Sequence, residues 1–198
     1  MAKVVGSKID SKAIDKKVAK SRRFQKDADN HARKRLEKAK CKLMEEFNQH
    51  SVTKEIEAGA SAENVSKTLR GYGNLFSFIG FEANSKPVDA VRNFLNSFIT
   101  LKSAGKPSKT GSTREYVVKT PDLADFKVAR MPWEGGRNWV QAIEEGISGF
   151  SYFMNKAHEA ARSGAGIQID NKLRSKDSAS MSYMSDILRK FKRRLKSK

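Results

Sequence analysis

The side chains of this sequence that could catalyse or hold a metal are few and scattered. The histidines are His31, His50 and His158. None stands at HxxxH or HExxH spacing from another, the arrangement that sets two imidazoles on one helical face around zinc. For His31 and His50, in and at the end of a charged segment, the expectation is a solvated or helix-capping imidazole. Cys41 lies among Lys38, Lys40 and Lys42. Cationic neighbours activate thiols, but no histidine partner can be named, so a small residue on a helix is expected. A single cysteine makes no internal disulfide and no cysteine-rich zinc site. Gly105-Lys-Pro-Ser-Lys-Thr-Gly111 has the composition of a phosphate loop. It lacks the GxxxxGK[ST] order, contains Pro107 and follows no buried strand. The pairs Gly71/Gly73, Gly135/Gly136 and Gly164/Gly166 do not fit GxGxxG and read as turns. Glu45/Glu46 and Glu144/Glu145 are adjacent on helical segments, so they point apart rather than converge. The sequence therefore predicts no catalytic residue, no cofactor and no metal ligand, and a non-enzymatic role.

Charge is the strongest compositional signal. The chain has 198 residues with 40 Lys+Arg against 22 Asp+Glu, a net charge of +18. Of these 18 positive charges, 16 belong to residues 1–50 and 151–198. Basic ends attract polyanions: DNA, RNA or an acidic protein surface. Hydrophobic residues make up 38%, enough for one core under a large polar surface. No apolar run approaches the ~18 residues of a membrane span, and no membrane partner is expected. The opening Met-Ala-Lys-Val-Val-Gly has no apolar h-region, so no signal peptide is expected and synthesis in a reducing cytosol fits.

The elements that must position these charges follow from periodicity. Residues 11–50 read as one long basic helix. Neither Pro nor Gly occurs between Gly6 and Gly59, and Ile14, Val18, Phe24, Ala28, Ala32, Leu36, Ala39, Leu43 and Phe47 recur mostly at steps of three and four. Forty residues make a rod of roughly 60 Å, longer than a small domain is wide. Its first half, around Ile14, Val18 and Phe24, is expected to contact another subunit. Residues 51–74 read as an ordered loop. The uncharged run Leu75 to Phe81 reads as a buried strand, its phenylalanines as core rather than stacking platforms. Lys86-Pro87 opens a second helix. Residues 103–112 read as a mobile loop, 113–120 and 125–130 as paired strands, and 138–146 as a short helix. Residues 150–154 and 166–169 read as further strands. Residues 182–195 close the chain as a helix with Met184, Ile187, Leu188, Phe191 and Leu195 on one face. Its other face carries Arg189, Lys190, Lys192, Arg193, Arg194 and Lys196, of which Arg189, Lys190, Arg193 and Arg194 are the candidate contact with a polyanion or an acidic subunit. The fold class expected is α+β, with a basic helix over residues 1–50 and a small antiparallel sheet packed with helices over 51–198.

Residues 48–81, with Gly73-Asn-Leu-Phe-Ser-Phe-Ile-Gly-Phe81 after a long basic helix, resemble the neck or tail-completion proteins of tailed bacteriophages, above all myovirus-type phages. Met131-Pro-Trp-Glu-Gly-Gly-Arg-Asn-Trp139, Glu145-Gly-Ile-Ser-Gly149 and Arg162-Ser-Gly-Ala-Gly-Ile-Gln-Ile169 extend the likeness. The resemblance implies a structural virion component, made in the host cytoplasm, that forms a homo-oligomeric ring joining head to tail. Its implied partners are the portal or adaptor, the tail terminator, the tail tube or sheath, and DNA in the lumen. It implies no cofactor and carries over no active-site residue. The alternative function is a basic nucleic-acid-binding protein acting on RNA or DNA.

Overall fold

Helix α1 (Arg22–Gln49) is continuous over 28 residues, about 42 Å of axis. Its start is set by Ser21, whose Oγ accepts the Phe24 N–H at 3.3 Å, the pattern of an N-cap. Ile14, Lys17, Val18 and Lys20 are helical as well, but Ser21 is a bend. The single rod expected over residues 11–50 is therefore divided at position 21, because a serine hydroxyl that satisfies a free amide favours a helix start over a helix interior. Leu36, Ala39, Leu43 and Phe47 are buried. This computed structural model describes residues 14, 17, 18, 20–69, 73–103, 115–132, 138–144 and 182–196. The strands expected over 150–154 and 166–169, the loop expected beyond Ser103, and His158 lie outside them.

The chain divides into two compact units, and the division falls inside α1. One comprises Met1–Lys38 with Thr100–Lys119, the other Ala39–Ile99 with Thr120–Lys198. In the first unit, β1 (Thr100–Ser103) pairs antiparallel with β2 (Tyr116–Lys119), in the register Leu101 to Val118 and Lys102 to Val117. The Tyr116 hydroxyl donates to the Asp29 carboxylate on α1. This corrects the expected partner of β2, residues 125–130. There, Asp122 and Asp125 form a reciprocal capping box around a 3-10 turn (Leu123–Asp125). The Asp125 carboxylate accepts the Asp122 N–H at 2.9 Å, and Phe126 is fully buried. A backbone closed on itself at that point cannot extend along β2. Arg130 instead bridges to Asn138.

The second unit is helical. Helix α2 (Ser51–Glu57) replaces the first part of the expected loop. His50 caps it, its Nδ1 accepting the Val52 N–H at 3.3 Å, and Val52 and Ile56, four residues apart, are buried. The expected strand over 75–81 is helix α3 (Leu75–Ile79) instead, all five of its residues buried. The local reason lies at its ends. The Asn74 side chain accepts the Ser77 N–H at 2.9 Å, and Gly80 ends the helix in the left-handed region at φ 78°, the backbone state that glycine adopts without strain. Glu55, fully buried, binds the whole arrangement. Its carboxylate accepts the Leu75 N–H and the Ser66 N–H, each at 2.7 Å. Helix α4 (Pro87–Phe98) has Pro at its first turn, as expected, and buries Val88, Val91 and Leu95. Arg92 on it binds Asp89 and Glu57 as ion pairs and donates to Asn48 at 3.1 Å.

Helix α5 (Trp139–Glu144) and helix α6 (Met184–Lys196) complete the unit. A file of rings runs through its core: Phe76 to Phe81 at 5.4 Å, Phe81 to Trp139 at 6.1 Å, Trp139 to Tyr183 at 6.5 Å, and Tyr183 to Phe47 at 6.3 Å between centroids. The phenylalanines of the 75–81 run are thus core, as the uncharged sequence implied. The architecture is α+β: mostly helical, with a long helix early in the chain, a two-stranded antiparallel sheet and a basic closing helix. Among the described residues, no helix is long and apolar enough to cross a membrane.

Candidate functional site

The basic closing helix is held in place by contacts that its own sequence does not reveal. Its apolar stripe, Met184, Ile187, Leu188 and Phe191, is buried, which fixes the rotation of α6 and turns its cations outward. Its N-terminus is capped from α5. The Glu144 carboxylate accepts the N–H groups of Tyr183 at 2.9 Å and Ser185 at 2.7 Å, and the Ser185 hydroxyl at 2.7 Å. A carboxylate there meets both the free amides and the positive end of the helix dipole. The Tyr183 hydroxyl shares a 2.7 Å hydrogen bond with Thr53 Oγ1, and burial pushes its pKa up.

The four cations expected to act together are divided by their partners. Arg194 makes a two-pronged contact with Glu46 on α1, Nη1 to Oε2 at 3.0 Å and Nη2 to Oε1. That guanidinium holds the Glu46 carboxyl below its ordinary value, and Arg194 is raised in turn. Arg189 and Lys190 both pair with Asp186 one turn earlier, Lys190 at 2.7 Å. Hydrogen bonds from Arg189 and then Lys190 hold the Asp186 carboxyl down. Arg193 is exposed and has no ion-pair partner among the described residues. Lys192, outside the expected set, reaches Asp122 at 3.3 Å, but that carboxylate is 82% exposed, so the pair contributes little.

Along this face runs a groove of about 410 Å³, within the size range of ligand sites. Arg189, Lys192, Arg193 and Lys196 line its cationic side, and Leu123 and Leu188 supply apolar surface within it. Arg189 and Arg193 thus share one concave surface, while Lys190 and Arg194 do not line it. The sequence places Lys192 and Lys196 on the basic face of this helix but outside the expected contact set, and it gives no sign of Leu123. Lys192 and Lys196 are one turn apart and follow Arg189 by three and seven residues, a spacing that marks a second cationic stripe.

The expected subunit-contact residues belong to the first unit. Ile14 and Val18 are 49% and 48% exposed, and Phe24 is half-buried. Of the residues weighed for chemistry, Cys41 is free and exposed, and His31 is exposed. His50 caps α2 and stacks tilted on Tyr183 at 4.7 Å. Glu46 and Glu144, each half of an adjacent carboxylate pair, serve as structural acceptors. No group of three or more His, Cys, Asp or Glu side chains among the described residues is placed to hold a metal. No family model, curated protein or solved structure matches this chain.

Proposed function

We propose that this chain is a non-enzymatic structural protein of a tailed-phage virion, assembling as a ring in the neck or tail-completion region that joins portal or adaptor to tail. One observation carries the reading: Ile14 and Val18 lie on helical backbone with about half of their surface in water. Apolar side chains on a basic helix gain roughly 1.5–3 kcal/mol each when fully covered. A neighbouring copy in a ring supplies that cover through a heterologous contact. The likeness of residues 73–81 and 131–139 to neck proteins supports the same role. Nucleic-acid binding by the basic ends is the second reading, favoured by their share of the net charge.

Phe24→Asp tests the ring. It is expected to abolish assembly, seen by electron microscopy of the native particle and by sedimentation, while the isolated protein melts within about 2 °C of wild type. A matching loss of thermal stability would place Phe24 in the chain's own core and remove the reading. Assembly of wild-type and Phe24→Asp protein at equal yield would remove it too.

A further inference from the structure

We infer that the groove between the 3-10 turn and α6 is a docking site for an acidic amphipathic segment of a partner protein. Its two kinds of surface dictate this chemistry. Four cations, Arg189, Lys192, Arg193 and Lys196, line it together with Asp122, Ser185, the half-buried Leu123 and the edge of the largely buried Leu188. Asp186 neutralises part of the Arg189 charge and Asp122 part of that of Lys192. Arg193 and Lys196 make no ion pair with any described residue and are exposed, so among the described residues the groove keeps a positive balance, which an acidic partner complements.

The apolar part chooses between the anions. A nucleic-acid backbone is read by cations and by aromatic platforms for the bases. This groove offers aliphatic surface, and the rings of Phe76, Phe81, Trp139 and Tyr183, which pack on one another, lie in the core of the second unit. An acidic peptide that places a leucine or similar residue between carboxylates satisfies both surfaces at once. A helix does so with apolar residues at i and i+4 and glutamates flanking them. The lining helix is also rigid: Glu144 caps it, Arg194 ties it to Glu46, and its stripe is buried. The partner therefore meets a preformed surface, which lowers the ordering cost of docking. This surface lies in the second unit, and its occupant stands whether or not the chain forms a ring.

The test is fluorescence anisotropy on the full chain with a short labelled peptide carrying leucines at i and i+4 and glutamates elsewhere. The peptide is expected to bind, and binding to weaken as salt is raised past physiological strength. Removing the two uncompensated charges with Arg193→Gln and Lys196→Gln is expected to raise Kd roughly tenfold, with an unchanged circular dichroism spectrum. Serine in place of the peptide's leucines is expected to weaken binding by a similar factor. In wild-type protein, the methyl resonances of Leu123 and Leu188 are expected to shift on titration, a readout that needs no variant. Equal binding of the serine peptide would overturn the proposal, because charge alone would then explain the contact. So would the absence of binding, shifts confined to other methyls, or tighter binding of a duplex DNA competitor at the same residues. Loss of ring assembly in Phe24→Asp protein leaves each of these readouts in place, so the two proposals fail separately.

Discussion

His50 couples protonation to a helix start. Its Nδ1 must be unprotonated to accept the Val52 N–H, so the proton of the neutral ring sits on Nε2. Burial, then the charge of Lys190, lower its pKa from the ordinary 6.5, with Asp186 and Glu144 opposing. The unfolded chain consequently takes up the proton at higher pH than the folded one. The contribution to stability is complete above pH 6.5 and is lost as pH falls through the folded value. His50→Asn keeps a strong capping side chain that does not titrate. Melting temperature is expected to fall between about pH 7 and about pH 5 in wild type, and to stay nearly flat over that span in His50→Asn. Parallel curves would show that the cap is not the titrating element. Below about pH 4.5 a second loss follows in both proteins, because Glu46 and Asp186 are held below their ordinary values by their cationic partners. The Glu46–Arg194 contact is a fork of two hydrogen bonds, each side chain about one-third exposed or less. Arg194→Gln is expected to cost about 1 kcal/mol in urea denaturation, with no further loss when Glu46→Gln is added. This sets Arg194 apart from Arg193, whose removal leaves folding nearly untouched.

Helix α3 shows what periodicity can and cannot reveal. Helices α1, α4, α5 and α6 were legible because their apolar residues recur at three and four. The run Leu75 to Ile79 is apolar at every position but Ser77, and such a short run has no phase to read. Its two punctuation marks, Asn74 and Gly80, were in the sequence and signal a helix rather than a strand. Gly80→Ala is expected to cost about 1 kcal/mol or more in thermal or urea unfolding, since alanine resists φ 78°. An unchanged midpoint would mean that the chain can end α3 by another route. The pairing of β2 was illegible for a different reason. Residues 100–103 carry no strand pattern of their own, and the outcome turned on the Asp122–Asp125 capping box, whose residues read as an ordinary turn. The candidate site was half legible. The phase of α6 gave its cationic face, but Glu46 and Glu144, which hold that face still, come from distant positions that one helix's pattern cannot announce.

At the scale of the whole chain, the two units differ in how they are strung. The second is built from a long stretch interrupted once, and the first from the beginning of the chain and the inserted β1–β2 hairpin. A two-stranded hairpin is marginal by itself. Here it finds its anchor in α1, through the Tyr116 hydroxyl on Asp29. The hairpin and the first part of α1 are therefore one hereditary unit written in two places. A substitution at Asp29 changes what is tolerated at Tyr116, and a truncation that removes the beginning of the chain strips the hairpin of its anchor while leaving its own codons untouched. Across related sequences, these two separated stretches are expected to drift together.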